Sequence, residues 1–128
     1  MRIFNDLAAQ AAPGAGGLVI DLRDPPRRVN ANRAIISRAV MESAARLLNE
    51  KIRDLKAHGF RYDRAVMVGG PANNPIWPKI VAEITGIDVA VGSRSAGARG
   101  DAMLAGIGIG VWLDEHDAFK SLEKKHEY

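Results

Sequence analysis

The most regular pattern of apolar positions in this chain lies between residues 32 and 58. Large apolar residues recur there every three or four positions, which is the spacing of one face of an α-helix. Asn30 or Asn32 would cap the start, and Gly59 follows the last turn, where a left-handed residue commonly ends a helix. The pattern predicts one long amphipathic helix packed along one face. The residues of that face are Ile36, Val40, Ala44, Leu47, Leu48, Ile52 and Leu55.

The residues before the long helix predict a smaller N-terminal section, residues 1–31. A helix over residues 3–11 is expected to stop at the proline and the glycines that follow it. Residues 18–22 have the composition of a short strand. Pro25 and Pro26 predict a loop, because proline fixes φ and removes an N–H donor. The section therefore contains a helix, a short strand and a loop.

Strands and helices alternate in the remaining section, residues 32–128. Pro75 is expected in the first turn of a helix, where its missing N–H costs nothing, and Gly86 at the end of that helix. The alternation favours a parallel α/β sheet within one compact domain. The predicted elements are strands over 63–68 and 87–91 and helices over 74–85, 98–112 and 114–124.

Only about three strands are visible in the whole chain, which is fewer than a parallel sheet covered on both faces usually has. The helix over 98–112 is apolar nearly all round and rich in glycine, so it needs close neighbours on several sides. We therefore expect the chain to be part of something larger, or to self-associate, for example as a homodimer.

Composition narrows the classes of function. The net charge is +3, but the 18 basic residues are spread among 15 acidic ones and aromatic residues make up only 5%, so nucleic-acid binding is not expected. The absence of cysteine excludes a disulfide scaffold and fits a cytoplasmic protein. Every apolar run is shorter than the roughly 18 residues that a membrane-spanning helix needs, so no membrane association is expected.

Two glycine-containing stretches at strand-to-helix junctions are the candidates for a ligand site. Gly69 and Gly70 follow a predicted strand, and Gly100 lies near the start of the glycine-rich helix. Glycines at the carboxyl ends of parallel strands let backbone N–H groups approach a phosphate or a flat base. The alternative is structural: Gly69 and Gly70 would make a tight turn, and Gly100 would allow close packing. The histidines show no metal-binding spacing, and no phosphate-loop lysine motif is present.

Taken in order, several stretches resemble the C-terminal domain of the FGGY carbohydrate kinase family. Residues 38–42, Arg-Ala-Val-Met-Glu, resemble the signature of its long helix. Residues 68–77, Val-Gly-Gly-Pro-Ala-Asn-Asn-Pro-Ile-Trp, resemble its adenosine motif. Residues 82–86 and 98–105 resemble later segments of the domain, and residues 16–18 are a weaker match to a Gly-Leu before the sugar-side segment.

The resemblance covers residues 16–112 and implies a fold and a function. The fold would be a partial ribonuclease-H-like, actin-like ATPase domain, with a few-stranded parallel sheet flanked by helices and one long amphipathic helix. The function would be that of an ATP-dependent, xylulokinase-like sugar kinase, which transfers the γ-phosphoryl group of MgATP to a sugar or polyol hydroxyl. The residues implied to bind the nucleotide, ATP or ADP, are Gly69, Gly70, Pro71, Ala72, Asn73 and Gly100.

The sequence also departs from the family. Lys79 and Ser95 stand where Gln and Glu are common, and the segment between Leu22 and Asn32 is much shorter than its counterpart. The family's phosphate-binding Asp-Gly-Thr loop, sugar-binding residues and catalytic aspartate have no counterpart, so no catalytic residue or metal ligand is assigned. We expect the chain alone to be inactive and to meet the sugar only with an N-terminal domain. The alternative is a non-catalytic remnant that acts as an oligomerisation or interaction module.

Overall fold

The computed structural model describes residues 2–93 and 95–123. Two short 3₁₀ turns, Ala15–Gly17 and Gly70–Asn73, lie between the longer elements. No helix in the described ranges is both long enough and apolar enough to cross a bilayer. The helices and strands are α1 (Arg2–Gln10), α2 (Arg33–Ala57), β1 (Arg64–Met67), α3 (Trp77–Thr85), β2 (Asp88–Val91), α4 (Ala96–Gly108) and α5 (Glu115–Glu123).

β1 and β2 pair in parallel along their whole length, as the alternation of strands and helices predicts. Backbone hydrogen bonds continue between the two strands beyond their carboxyl ends. The N–H of Gly92 donates to the carbonyl of Met67 at 2.9 Å, and the N–H of Gly69 donates to the carbonyl of Ser93 at 3.2 Å. The loops that follow the two strands therefore lie side by side.

The strand predicted over residues 18–22 is not formed. The segment lies against α2 instead, where Ile20 is buried and its N–H donates to the hydroxyl of Ser43 at 3.2 Å, while Val19 faces solvent. The alternation of buried and exposed residues is thus real. It arises from packing on a helix, because no strand of the described chain pairs with this segment.

α2 begins and ends at the residues that its capping chemistry predicts. The side-chain oxygen of Asn32 accepts a hydrogen bond from the N–H of Ile35 at 2.8 Å, so Asn32 is the N-cap. Gly59 adopts a left-handed conformation with φ 88°, and the N–H of Phe60 bonds back to the carbonyl of Leu55 at 3.2 Å. These contacts satisfy backbone groups that a helix end otherwise leaves free.

The apolar stripe of α2 is not the face that the protein buries most, contrary to the prediction. Leu48 and Leu55 are exposed, and the other members of the stripe are partly buried. The helix is covered on two flanks, because α1 and α3 pack on one side and the segment after α1 packs on another. The buried residues of α2 are Ser37, Arg38, Ala39, Met41, Glu42, Ser43 and Ala45.

A buried carboxylate joins the elements around α2. Oε1 of Glu42 accepts hydrogen bonds from Nε of Arg38 and from the N–H of Gly14, each at 2.8 Å, and Oε2 lies 3.3 Å from Nη2 of Arg46. Arg38 in turn reaches Glu83 on α3 at 3.4 Å. The pair of Glu42 and Arg38 therefore connects the loop after α1, the middle of α2 and α3.

α3 begins at Trp77, later than the predicted start at residue 74. The side-chain oxygen of Asn74 accepts two backbone N–H groups, at 3.0 and 3.1 Å, and so forms a turn ahead of the helix. Pro75 belongs to that turn and not to the helix. Pro78 occupies the first helical turn instead, where a missing N–H is tolerated. Gly86, with φ 67°, closes the helix as predicted.

The helix predicted over 98–112 begins earlier, at Ala96, and ends earlier, at Gly108. Gly110 is left-handed, and the N–H groups of Gly110 and Val111 bond back to carbonyls of α4 at 3.0 and 2.8 Å. This pair of bonds is a Schellman motif, which terminates the helix and reverses the chain. The helix predicted over 114–124 is present as α5.

The buried carboxylate gives a first testable prediction. Glu42→Gln removes the buried carboxylate beside the guanidinium of Arg38 and leaves only the more distant, exposed Glu83, so we expect the free energy of unfolding to fall by about 3–5 kcal/mol in urea denaturation. Glu50→Gln is the matched control, because Glu50 forms an exposed pair with Arg23 at 2.7 Å and raises the pKa of Arg23 through that hydrogen bond and its charge. Water screens that pair, so a much smaller loss is expected. Equal losses would contradict the role assigned to Glu42.

The end of α4 gives a second prediction. A Cβ on Gly106 would overlap the indole ring of Trp112, whereas a Cβ on Gly108 would meet nothing within 4 Å. We expect Gly106→Ala to lower the free energy of unfolding by about 1–3 kcal/mol, because the ring must move. Gly108→Ala should leave it unchanged or raise it by up to about 1 kcal/mol. Thermal unfolding measures both, and two equally stable variants would show that Trp112 does not pack on Gly106.

Candidate functional site

Two glycines, Gly69 and Gly70, follow β1, and the structure gives a different reason for glycine at each position. Gly69 has φ 70° and ψ −146°, a conformation that residues with a side chain avoid, so the turn itself requires this glycine. Gly70 has no positive φ, and a Cβ on Gly70 would meet nothing within 4 Å. Neither backbone strain nor packing in the described chain accounts for a glycine at this position. The open space in front of Gly70 can admit a ligand close to the backbone.

A cavity of about 640 Å³ lies beside this turn, and its size is typical of a small-molecule site. Gly70, Pro71 and Asn73 line it from the turn. The rest of its wall comes mainly from apolar side chains on α1, α2 and the start of α3. Those side chains are Phe4, Val40, Met41, Ala44 and Trp77.

A hydrogen bond between two asparagine side chains joins two walls of the cavity. Nδ2 of Asn74 donates to Oδ1 of Asn5 at 2.8 Å, and both residues line the cavity. The oxygen of the Asn74 side chain is already occupied by the backbone N–H groups before α3. Asn74 therefore holds α1, the glycine turn and the start of α3 in one arrangement.

The structure does not bring all the predicted nucleotide-binding residues to one cavity. Gly70, Pro71 and Asn73 share the cavity of about 640 Å³. Ala72 is buried and, with Asn73, lines a second cavity of about 450 Å³ beside β2. Gly100 lies on α4 at a third cavity of about 470 Å³, next to the face of the sheet. Gly69 lines none of these three cavities, and its N–H is bonded to the loop after β2.

Sequence reasoning missed the contribution of α1 and α2 to the cavity. Phe4 and Asn5 are far along the chain from the glycine turn, so their contact depends on tertiary packing alone. The sequence pattern predicts that Val40 and Ala44 lie on the packed face of α2. The sequence feature that could have indicated this contribution is the length of the apolar stripe of α2. The stripe continues over more helical turns than the neighbouring elements cover.

The cavity can hold a flat apolar group against side chains and leave a polar or charged group beside the turn backbone. Within residues 2–93 and 95–123, no three histidine or acidic side chains gather in the way that a metal ion would need. The described chain thus offers a binding surface built from backbone, apolar side chains and asparagine amides.

Comparison with known proteins identifies the family. Residues 5–109 match the C-terminal domain of the FGGY family of carbohydrate kinases. Autoinducer-2 kinase from Salmonella paratyphi A is 30% identical, and the match covers 86% of this chain and 24% of that protein. Autoinducer-2 kinase from Yersinia enterocolitica is 32% identical, with 88% and 21% covered. The chain therefore spans about a quarter of the length of these relatives.

A solved structure confirms the predicted fold. Xylulose kinase from Rhodospirillum rubrum superposes with a TM-score of 0.66 over 84% of this chain and 25% of that chain, at 24% identity. This likeness shows that the sheet and its helices have the fold of the matching part of that kinase, the actin-like ATPase fold. The family match extends over most of the chain, so it establishes membership of the family as well as the fold. The chain belongs to the FGGY family of carbohydrate kinases, and it corresponds to their C-terminal domain.

Proposed function

We propose that this chain is the nucleotide-binding C-terminal portion of an ATP-dependent sugar kinase. The observation that carries the proposal is Gly70, a glycine with free space where its side chain would be, at the rim of an apolar cavity. The apolar lining suits the flat adenine ring. The turn from Gly69 to Asn73 would border the ribose and the first phosphate, since glycine lets the backbone come close to such groups.

The reaction proposed for the whole kinase is transfer of the γ-phosphoryl group of MgATP to a sugar or polyol hydroxyl. Such a transfer needs Mg²⁺ on the phosphates and a base that takes the proton of the attacking hydroxyl. We assign both to the portion of the kinase outside this chain, together with the sugar site. The part left to this chain is to bind and orient the nucleotide, so we expect it to have no kinase activity alone.

The substrate class is proposed from the named relatives. The solved neighbour is a xylulose kinase, which supports a xylulose-like sugar, while the sequence relatives are autoinducer-2 kinases. Both names fit a small hydroxylated substrate phosphorylated on a hydroxyl group. A cytoplasmic location is proposed on the absence of cysteine and on the supply of ATP that such a kinase needs.

Titration with ADP, followed by amide NMR, tests the nucleotide site. We expect the amides of Gly69 and Gly70 to shift and saturate. Gly70→Val should weaken ADP binding by about tenfold or more, which corresponds to at least about 1.4 kcal/mol, because the new side chain fills the space that the nucleotide would occupy.

Gly108→Val is the matched control for this titration. Its Cβ also enters open space, but it lies at the far end of α4, so ADP affinity should not change. Folding of both variants is checked by the dispersion of the amide spectrum. If no amide of the unmodified chain moves with millimolar ADP, the nucleotide assignment fails, and the non-catalytic interaction module becomes the better explanation.

We also propose that the isolated chain self-associates. Ile109 and Leu113, which follow α4, are 79% and 91% exposed, and Leu104 on α4 is also exposed. Large apolar side chains exposed together commonly mark an interface. Sedimentation velocity across a dilution series should show a species heavier than the monomer, a homodimer being the simplest, that dissociates on dilution.

Matched substitutions distinguish a specific interface at these residues from non-specific association. The double change Ile109→Ser and Leu113→Ser should shift the distribution toward monomer. Phe60→Ser, at a position 61% exposed in the turn after α2, should leave it unchanged. A monomer at every concentration of the unmodified chain would rule out this proposal.

A further inference from the structure

Two backbone N–H groups fix the orientation of the Asn74 side chain. The N–H groups of Ile76 and Trp77 both meet the same side-chain atom of Asn74, at 3.0 and 3.1 Å. A backbone N–H can only donate, so the atom that it meets must be the amide oxygen. The NH₂ group of Asn74 is therefore left for its other neighbour, which is Asn5.

The orientation of Asn74 determines that of Asn5. Because the NH₂ group of Asn74 lies 2.8 Å from Asn5, the facing atom of Asn5 must accept, and only its amide oxygen can do so. The NH₂ group of Asn5 is then on the other side of the same amide. Within residues 2–93 and 95–123, no group accepts a hydrogen bond from it. Asn5 lines the cavity of about 640 Å³, so this donor is available to a molecule bound there.

Packing of α1 holds Asn5 in place. Ala8, about one helical turn after Asn5, is fully buried. It belongs to the same core cluster as Met41 on α2 and Ile80 on α3. Asn5 itself is half-buried. A donor that is already oriented before the ligand arrives loses little conformational entropy on binding, so it contributes more to affinity than a mobile one.

A second amide at the same cavity lacks this support. Asn73 also lines the cavity, but it is exposed. Within the part of the chain that the structure describes, its side chain forms no hydrogen bond comparable to the one between Asn5 and Asn74. The two amides therefore differ in how firmly they are oriented, and Asn73 provides a comparison for Asn5.

A donor in the wall of an apolar cavity selects a ligand group that accepts. The apolar side chains beside Asn5, such as Phe4 and Trp77, offer contact area for a flat ring. Adenine carries acceptor nitrogens at the edge of its ring, in the plane of that ring. A base lying against the apolar side chains can therefore present a ring nitrogen to the amide of Asn5.

We propose that Asn5 is a specificity-determining residue of the nucleotide site, and that its NH₂ group donates a hydrogen bond to a ring nitrogen of the adenine base. Asn74 is a positioning residue, because it acts through Asn5. The inference rests on the proposed function, since it names the contact that recognises the base in that cavity. A neutral hydrogen bond of this kind is expected to contribute about three- to tenfold in affinity.

Three ADP analogues test the contact. They are 1-deaza-ADP, 3-deaza-ADP and 7-deaza-ADP, each of which replaces one ring nitrogen by C–H and so removes one acceptor while keeping the shape of the base. Each analogue is titrated into the unmodified chain beside ADP, with amide NMR as the measurement. At least one analogue should bind about three- to tenfold more weakly than ADP.

The variant Asn5→Asp links that difference to Asn5. A carboxylate still accepts from Asn74 but has no N–H to donate, so ADP and the affected analogue should bind equally. The amides of Ile76 and Trp77 should keep their positions in the spectrum without ligand, which shows that Asn74 has not moved. Asn5→Leu adds no charge and should also make the two ligands equal.

Asn73→Asp is the matched control. It adds the same charge to the same cavity and leaves Asn5 unchanged. The charge should weaken ADP and the analogue by the same factor, because both carry the same phosphates. The ratio of their affinities should therefore stay as in the unmodified chain.

Three outcomes would overturn the role of Asn5 while leaving the nucleotide assignment intact. They are equal binding of ADP and all three analogues, an unchanged ratio in both Asn5 variants, and loss of the ratio in Asn73→Asp instead. In each of them ADP still binds. No response of the unmodified chain to ADP is a different result, and it would overturn the nucleotide assignment together with the role of Asn5.

Discussion

The structure depends on one buried charge pair, between Arg38 and Glu42 in the middle of α2. A buried guanidinium without its carboxylate would be costly, so this pair must form for α2 to pack as it does. Glu42 also holds the N–H of Gly14, and Arg38 also reaches Glu83 on α3. Both charged residues belong to the Arg-Ala-Val-Met-Glu stretch that resembles the family signature. In this chain the stretch serves to assemble the segments around α2, and α2 and α3 carry part of the wall of the cavity.

The glycine turn shows how one dipeptide can satisfy two requirements at once. Sequence alone leaves two alternatives, a tight turn or the close approach of a ligand. The structure separates them by residue, because Gly69 has a backbone conformation that needs glycine and Gly70 does not. The tight turn explains the first glycine. The second has free space and a cavity in front of it, which is why the functional proposal depends on Gly70 and not on the pair as a unit.

Local chemistry made some features predictable and others not. Asn32 and Gly59 set the two ends of α2 through contacts with residues close to them in the sequence, so a local pattern is enough to predict them. Residues 18–22 have the alternation of a strand but lack a partner strand, a fact that no local pattern carries. Within the candidate site, Gly70, Pro71 and Asn73 were predictable from the family resemblance, because they lie close together in one motif of the sequence. Phe4 and Asn5 were not, because only the packing of α1 brings them to the turn.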